Sequence, residues 1–347
     1  MKKILKDGIK ENHILDTYEI FKHAIFSGTT HTYANRVKIW DMNFGRTFLM
    51  NAGVSEEWLW LFLANDGSGK LCWDFTSAGL RAADLTKGVA AIHAYEMNRL
   101  DPTIDLFGIT NADNRVYSSE FFREYLKEVG CEDFEYPTQE QVKQAKKLSK
   151  KALGLNSDQL VVSYSGRLVP EKAGRNRAFC DWAIEEMIKA GIQVIIYGNV
   201  QPYAESLRIG DELRSLAYRL NNSGYLGRFI FKSKFNIDEQ RRLLAATDIQ
   251  IQDSERHTGA SEYTESDVSV NGGLQMGACF WEGIIQKQGE VINRETLRGN
   301  TLIPASTNPQ DYLQAIFWAK NLFEQGQLSI LGKQSIRLSR VLEYGIT

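Results

Sequence analysis

The sequence contains few cysteines and no excess of either charge. Its four cysteines form no C-x-x-C pair, which excludes a zinc knuckle and a disulfide framework and fits the reducing environment of the cytoplasm. The 347 residues include 41 lysines and arginines and 43 aspartates and glutamates, a formal net charge of −2. Because the chain has no global basic field, we expect it to bind neither nucleic acid nor an anionic membrane surface.

Long apolar runs are also absent. No window reaches the roughly 18 uncharged apolar residues that a membrane helix needs, and MKKILKDGIKENHILD at the start becomes polar where a signal peptide would turn apolar. We therefore expect no membrane-spanning segment and no export by this route. The sequence has no internal repeat and no low-complexity tract. Its hydrophobic content of 43% is ordinary for a globular protein, and its length suits about two domains.

Strand-like and helix-like segments alternate regularly from residue 159 onwards. Short apolar runs rich in β-branched residues predict strands in LVVSYSG, IQVIIYG, GRFIFKS and DIQIQDS. Helical patterns separate these runs, near residues 176–190 and in ESLRIGDELRSLAYRL and DEQRRLLAAT. Strand, helix and strand in this order predict a parallel sheet with crossover helices. We interpret residues 156–325 as one Rossmann-like domain.

Helices are predicted on both sides of this domain. Thr138 and Gln141 have the spacing of a capping box, so we assign residues 131–155 to a helical connector between two domains. Two helices are predicted towards the end of the chain, with Asp311 capping or opening the first of them. Residues 326–347 are assigned to the second, a C-terminal helix.

Residues 1–130 are assigned to a partial N-terminal Rossmann-like domain. Helical spacing predicts a helix from Thr76 to Arg99, interrupted near Lys87. Two histidines in this region each allow two interpretations. His31 follows an apolar run and either contacts a sugar at the end of a strand or belongs to a capped turn. His93 lies on an apolar helical pattern and is expected to be a core or boundary residue.

The segment SGRLVPEK, residues 165–172, directly follows a predicted strand. In an open parallel sheet, ligands bind beyond the carboxyl ends of the strands, and Arg167 and Lys172 would both leave this loop as fixed cations. Arginine offers a bidentate fork and lysine a compact point charge, a combination that suits a phosphate or pyrophosphate. The alternative is that both are surface cations in a turn. Both interpretations stay open at this point.

A second loop, within residues 248–283, is rich in acids and also follows a predicted strand. It carries Glu255, His257, Glu262, Glu265 and Asp267. Carboxylates so close together repel each other unless they are solvated or paired with a cation, so a solvated loop without function explains them. Their spacing matches no metal motif, and we predict no metal site. The following Asn271-Gly272-Gly273 is expected to open a helix.

Five segments resemble, in the same order, motifs of one enzyme family. They are TTHT (29–32), LRAADLTKGVAAIHAYE (80–96), FGITNADN (107–114), SGRLVPEK (165–172) and GASEYTESDVSVNGGL (259–274). The family is that of the α-glucan phosphorylases, in which the fourth segment binds phosphate and the fifth surrounds the cofactor lysine. The resemblance implies an α/β GT-B fold: two Rossmann-like domains, the first incomplete here, facing across a cleft that holds glucan, phosphate and pyridoxal phosphate.

The resemblance also implies which residues form the site. Catalytic roles fall on Arg167, Lys172 and Asp84. Substrate contacts fall on His31, Asn111, Glu255, Ser261, Glu262, Asn271 and Gly272. The early part of the family's first domain, with its glycine-rich substrate loop, has no counterpart in this sequence.

The sequence departs from the family at the cofactor site. The family's cofactor lysine falls on Asp267, which cannot form a Schiff base. The family's acidic residue before the Ala-Ser of this motif falls on Gly259, and the first cation of its phosphate site falls on Gly166. The family's glycine-rich segment, whose backbone N–H groups face the cofactor phosphate, falls on Glu262 and Glu265. Carboxylates at these two positions would repel a cofactor phosphate. We therefore expect no pyridoxal phosphate and no other cofactor.

Two functional hypotheses follow. The first is a hexosyltransferase that works between a sugar phosphate or nucleotide sugar and a glucan or other acceptor. An enzyme that uses a nucleotide sugar needs no lysine at position 267. This form of the hypothesis is also favoured by GRLV-x-EK, which resembles the donor-diphosphate site of glycosyltransferases of the glycogen-synthase type. The second is a catalytically degenerate phosphorylase-like protein that binds a glycan or pairs with a catalytic partner chain. A homo-oligomer or a partner chain is possible in either case, and a partner could supply the missing half of the first domain. The sequence leaves both open.

Overall fold

The structure is a computed structural model in which the chain divides into two compact units. One unit comprises Met1–Thr110 with Arg256–Gly259, and the other Asn111–Glu255 with Ala260–Thr347. None of the helices among the described residues is long and apolar enough to cross a membrane. The structure describes residues 27–30, 38–65, 69–88, 91–108, 118–169, 179–251, 267–277, 285–287, 301–306 and 308–339.

Short strands and helices make up the described part of the first unit. Its strands are β1 (Ser27–Thr30), β2 (Lys38–Ile39), β3 (Leu63–Asn65), β4 (Leu71–Asp74), β5 (Leu85–Gly88) and β6 (Phe107–Gly108). Its α-helices are α1 (Met42–Asn51), α2 (Phe75–Ala82) and α3 (Ala91–Leu100), and Glu56–Phe62 is a 3-10 helix. One sheet is parallel, in the order β1-β5-β6. The other is antiparallel, in the order β2-β4-β3.

The segment from Thr76 to Arg99, predicted as a helix interrupted near Lys87, contains two helices, and the strand β5 separates them. Helix α2 is capped by Asp74, whose Oδ1 accepts hydrogen bonds from the backbone N–H groups of Thr76 and Ser77 at 2.9 and 3.0 Å. Strand β5 then pairs in parallel with β1 and β6 before α3 begins. The helical prediction is thus confirmed on both sides of its predicted interruption near Lys87, and the interruption is a strand that is held by pairing with two neighbouring strands.

Arg81 connects several parts of the first unit. Its guanidinium donates to the carbonyl oxygens of Leu61 and Leu63 at 2.6 Å each and to Thr103 Oγ1 at 2.7 Å. It also pairs with Asp101 at 2.8 Å, and both side chains are almost fully buried. Burial opposes ionisation of Asp101, but the hydrogen bond from Thr103 and the charge of Arg81 outweigh it and keep the pKa of Asp101 below its ordinary value.

The second unit is built on a seven-stranded parallel sheet of described strands. They are β7 (Val161–Ser165), β8 (Gln193–Tyr197), β9 (Phe229–Lys232), β10 (Ile249–Ile251), β11 (Leu274–Met276), β12 (Ile285–Lys287) and β13 (Thr301–Ile303). Their order is β12-β13-β11-β10-β7-β8-β9. The helices are α4 (Glu120–Glu128), α5 (Gln139–Ala152), α6 (Asp181–Lys189), α7 (Ala204–Asn221), α8 (Ile237–Ala246), α9 (Pro309–Glu324) and α10 (Leu328–Leu338). The predicted α/β class is confirmed.

A buried ion pair lies where β10 returns beside β7. The backbone of Asp248 exchanges hydrogen bonds with both neighbours, donating to the Val161 carbonyl at 3.0 Å and accepting from Leu274 N at 2.9 Å. Its carboxylate accepts from Val161 N at 2.8 Å and from Lys150 Nζ of α5 at 2.6 Å. The side chains of Lys150 and Asp248 are 1% and 5% exposed. One carboxylate therefore links the first strand, the returning strand and a helix.

Helix α5 begins with the predicted capping box. Thr138 Oγ1 accepts from Gln141 N, and Gln141 Oε1 accepts from Thr138 N. The helix does not stand between two domains, however, because it packs against α4, α8 and α10 of the second unit. Val142 on α5 and Phe122 on α4 share one buried apolar cluster. We predicted the division near residue 130, whereas the two units meet after Thr110.

The helix α9 starts at a different residue from the one predicted. Asn308 is the N-cap, since its Oδ1 accepts from Asp311 N at 2.8 Å, and Pro309 occupies the first turn. Asp311 therefore lies inside the first turn, where its negative charge still favours the helix dipole. The C-terminal helix α10 packs on α5 and α9 as part of the second unit.

A row of polar side chains crosses one buried face of the sheet. The row consists of Ser163, Gln250, Gln275 and Thr301, which are register partners on β7, β10, β11 and β13 and are all buried. Ser163 Oγ donates to Gln250 Oε1. Gln250 Nε2 and both side-chain heteroatoms of Gln275 have no hydrogen-bond partner among the residues that the structure describes. Such buried, unpaired groups each destabilise a fold by about 1–3 kcal/mol.

We predict that Gln275→Met stabilises the protein, because an apolar side chain of similar size removes two unpaired polar atoms. The free energy of unfolding should rise by about 1–2 kcal/mol in denaturant titrations. Gln193→Met is the matched control, since Gln193 is also buried but exchanges hydrogen bonds with the Asn156 backbone at 2.8 and 2.9 Å. The control should lower stability by about 1–3 kcal/mol. Equal losses in both variants would contradict this account.

Candidate functional site

The strand order of the large sheet reverses at one point, between β7 and β10. The chain runs outward through β7, β8 and β9, and then returns to the other side of β7 with β10, β11 and β13. This is the strand order of dinucleotide-binding Rossmann domains, with β12 added at the edge. Ligands of such sheets bind outside the carboxyl ends of the strands, where the order reverses. Here the reversal lies between β7, which is followed by Gly166 and Arg167, and β10, which is followed by the acidic loop.

The loop after β7 is held against the loop after β8. Gly166 N donates to the Tyr197 carbonyl and Leu168 N to the Asn199 carbonyl, both at 3.1 Å. Leu168 also forms a parallel bridge with Val200. The pairing of the two strands therefore continues beyond their ends, and the backbone on both sides of Arg167 is fixed.

Two glycines allow this close approach. A Cβ atom on Gly198 would lie 1.9 Å from the carbonyl oxygen of Gly166, so any other residue at position 198 would force the loops apart. A Cβ atom on Gly166 would lie 2.7 Å from Tyr164 Oη. That hydroxyl donates to the Arg167 carbonyl at 2.8 Å, and Ser206 Oγ donates to the Leu168 carbonyl. The site is thus built on rigid backbone.

The side chain of Arg167 is exposed on this fixed backbone. None of the ion pairs within the described ranges involves its guanidinium. An arginine without a carboxylate partner, at the reversal point of a parallel sheet, has its full set of donors available for a phosphate or carboxylate. Lys172, the second predicted cation, lies outside the described residues.

Asn271 and Gly272 do not belong to this edge of the sheet. They directly precede β11, so they lie at the amino ends of the parallel strands, whereas Arg167 follows a carboxyl end. The prediction that Asn271 opens a helix is wrong: residues 267–270 are helical, and a turn at 271–272 ends them. Asn271 Nδ2 donates to the carbonyl oxygens of Ser118, at 3.1 Å, and Asp267. Gly272 adopts a φ of +67°, which favours glycine. These contacts indicate a structural role instead of the predicted substrate contacts.

Asp267, at the position of the family's cofactor lysine, does not fit pyridoxal phosphate. The cofactor needs an amine for its imine bond, and a carboxylate cannot supply one. The half-buried Asp267 begins the helical residues 267–270, and its charge acts on Arg241. Burial lowers the pKa of Arg241, and the nearby Asp267 partly opposes that change. The aspartate is therefore placed as a counter-charge.

The sequence also predicted site residues at His31, Asn111 and Asp84. His31 and Asn111 lie outside the described residues, so their substrate contacts stay predictions. Asp84 is exposed and directly precedes β5, at the amino end of that strand. Ligands of parallel sheets bind beyond the carboxyl ends of the strands, so this position argues against the predicted catalytic role of Asp84. His93 lies on α3, and its side chain is outside the described part of the structure.

The acidic loop after β10 lies outside the described residues. This applies to Glu255, His257, Ser261, Glu262 and Glu265, whose predicted roles stay predictions. Among the residues that the structure does describe, no group of three or more histidine, cysteine, aspartate or glutamate side chains is arranged to hold a metal ion.

Sequence reasoning missed the residues that support Arg167. Tyr164 and Ser206 hold the carbonyl groups of the loop, and Gly198 admits the neighbouring backbone. The glycine that ends IQVIIYG was a visible signal, since a glycine after a buried strand often permits close approach of another backbone. Ser206 is remote in sequence, and no local pattern identifies it.

Comparison with known proteins identifies the fold. No protein-family model and no curated protein sequence matches this chain. The catalytic domain of starch synthase IV from Arabidopsis thaliana, solved with ADP and acarbose bound, is similar over 96% of this chain and 70% of that chain. The TM-score is 0.61 and the sequence identity 14%. This chain has the GT-B fold. The predicted fold class is confirmed, and the resemblance to α-glucan phosphorylases in particular stays a prediction.

We predict that Gly198→Ala destabilises the second unit and displaces the Arg167 loop. The added methyl group would overlap the Gly166 carbonyl, and overpacking of this kind costs about 1–3 kcal/mol. Thermal unfolding should show this loss. Gly79→Ala is the matched control, because Gly79 lies in α2 with open space around its Cβ position, and alanine favours helix there. An unchanged melting temperature for Gly198→Ala would contradict the proposed close approach.

Proposed function

We propose that this protein is a GT-B glycosyltransferase that transfers a hexosyl group from a phosphate-bearing donor to a glucan or related acceptor. The observation that carries the proposal is the exposed Arg167 on a fixed loop at the reversal point of the sheet. A guanidinium there can bind the donor phosphate and stabilise the negative charge that the leaving group gains as the glycosidic bond to phosphate breaks. Lys172 is the proposed second cation.

We favour a nucleotide sugar as the donor. A phosphorylase reaction would require pyridoxal phosphate, and Asp267 offers no amine to hold it. The similar starch synthase domain was solved with ADP and acarbose, a nucleoside diphosphate and an oligosaccharide-like ligand. That observation supports a nucleoside diphosphate at the Arg167 loop and a glucan as the acceptor. Of the substrate contacts predicted from the sequence, we propose His31 and Asn111 for the acceptor.

Calorimetric titration tests the donor site. ADP, UDP, their glucose conjugates and glucose 1-phosphate are titrated into wild type, Arg167→Ala, Arg167→Lys and Lys172→Ala. Each lost cation should weaken binding of the best ligand by about 1.5–3 kcal/mol, which is tenfold or more. Arg167→Lys should also bind weakly, since a point charge cannot replace the bidentate fork. The Arg167 variants should keep wild-type stability, because this exposed cation contributes little to folding.

Arg214→Ala is the matched control for these titrations. Arg214 is an exposed arginine on α7 that pairs only with Asp211 among the described residues, so its removal should leave ligand binding unchanged. If wild type binds none of the ligands, the proposal is refuted. If all variants bind equally well, the donor site is not at the Arg167 loop.

The second hypothesis, a catalytically degenerate protein, is supported by the carboxylate at position 267. Release of nucleoside diphosphate in the presence of maltooligosaccharides separates the two hypotheses. Turnover establishes a transferase, whereas donor or glycan binding without turnover establishes a binding protein.

We also predict that the purified protein carries no pyridoxal phosphate aldimine. Its absorbance spectrum should lack the band of an enzyme-bound Schiff base and gain none when the cofactor is added, because Asp267 cannot form the bond. Reduction with borohydride followed by peptide mass spectrometry provides the check. A cofactor adduct on any lysine would refute this prediction.

A further inference from the structure

A cavity of about 330 Å³ opens at the amino edge of the large sheet. Helix α5, the turn between α9 and α10, and the residues preceding β7, β10 and β11 form its walls. Arg167 lies at the opposite edge. The five residues of β7 separate the two edges by about 16 Å, so the cavity is independent of the proposed donor site.

Four lysines of α5 line the cavity. Lys143, Lys146, Lys147 and Lys150 have the spacing i, i+3, i+4 and i+7, which places them on one face of the helix. Lys146 and Lys150 are only 6% and 1% exposed. Two buried ammonium groups beside an open cavity are unusual, because burial of a charge is costly without a partner.

Carboxylates in the cavity wall balance only two of these lysines. Lys150 pairs with Asp248 at 2.6 Å, and Lys147 pairs with Asp158 at 2.7 Å. The remaining acid in the wall, Glu324, pairs with Lys320 on its own helix.

Among the described residues, the other two cations form no ion pair with a carboxylate of the cavity wall. Lys146 Nζ donates to the carbonyl oxygens of Ala245 and Thr247, which carry no net charge. Lys143 is 4.0 Å from the exposed Glu140. The electrostatic potential inside the cavity therefore favours the binding of an anion.

The protonation of Lys146 reflects this environment. The pKa of Lys146 is lowered to about 7, mainly by burial; the charge of Asp248 opposes this decrease and the charge of Lys150 adds to it. The Phe122 ring faces the same ammonium group at 5.1 Å. A bound anion would favour the charged form of Lys146 and would take up a proton above pH 7.

The wall also has an apolar part, beside the two serines Ser157 and Ser329. Val142, Phe323 and Leu328 contribute hydrocarbon surface, and the Lys150 ammonium lies 4.5 Å from the centre of the Phe323 ring. Cavities of this volume accept small organic molecules and combine apolar walls with a few polar groups that fix orientation. A ligand that fits must therefore have an anionic head and an apolar or ring-shaped body.

We propose that this cavity is a second ligand site, which binds a small phosphate monoester through the lysines of α5 and packs its organic body against Phe323 and Leu328. The site is separate from the donor site and does not depend on the proposed transferase activity.

The test uses phenyl phosphate as the probe, titrated calorimetrically at pH 7. Inorganic phosphate has only the anionic group of this probe, and benzyl alcohol has only an aromatic ring. Both should bind at least tenfold more weakly than phenyl phosphate. Lys143→Glu should weaken binding of phenyl phosphate tenfold or more, because it replaces a cation in the wall by an anion. Lys151→Glu makes the same change in net charge on an exposed residue of α5 outside the cavity, and we expect a less than twofold effect.

Two further measurements distinguish this site from the Arg167 loop. Affinity in wild type should fall severalfold between pH 7 and 8.5, because Lys146 loses its proton while the phosphate, with a second pKa of about 6, keeps its charge. Arg167→Ala should bind phenyl phosphate like wild type. Absence of binding by wild type at millimolar concentration, or loss of binding in Arg167→Ala but not in Lys143→Glu, would overturn the proposal.

Discussion

A single buried carboxylate determines how the large sheet is assembled. Asp248 accepts hydrogen bonds from the first residue of β7 and from Lys150, and its backbone joins β10 to both neighbours. These contacts fix β10 beside β7 and not beyond β9. The strand order reverses at this point, and the reversal creates the crevice where Arg167 emerges. Removing either charge would leave the other buried without a partner, a change that typically costs 3–5 kcal/mol.

The two edges of the sheet use cations in different ways. At the carboxyl edge, hydrogen bonds from Tyr164 and Ser206 and the close contact of two glycines fix the backbone, and the Arg167 guanidinium has no ion-pair partner among the described residues. At the amino edge, one face of helix α5 is buried, and Lys146 and Lys150 on that face are held by carbonyl groups and a carboxylate. The first arrangement suits an exchangeable, strongly charged ligand. The second suits a smaller ligand whose binding is coupled to protonation.

Local patterns predicted much of the second unit and little of the first. Apolar runs that end in glycine identified β7 and β8, and the Thr138–Gln141 spacing identified the start of α5, because these signals depend on neighbouring residues alone. Strand β5 was missed because its stability comes from pairing with two strands distant in sequence. The same reason applies to the division of the chain, since apolar contacts of α4 and α5 with α10 assign both helices to the second unit. At the candidate site, Arg167 was predictable, whereas its supporting hydroxyl groups and the Lys150–Asp248 pair were not.

The backbone of the Arg167 loop is held by contacts that do not involve the Arg167 side chain. This arrangement affects which substitutions the protein can accept. Within the described residues, the hydrogen bonds that shape the loop are made by backbone groups of residues 166–168 and by side chains elsewhere, and none is made by the Arg167 side chain. A substitution at position 167 therefore changes the chemistry of the exposed side chain while the loop keeps its supporting contacts. A substitution at Gly198, in contrast, disturbs the supporting backbone itself. Position 167 can therefore be substituted without loss of the contacts that support the loop, whereas the supporting residues cannot.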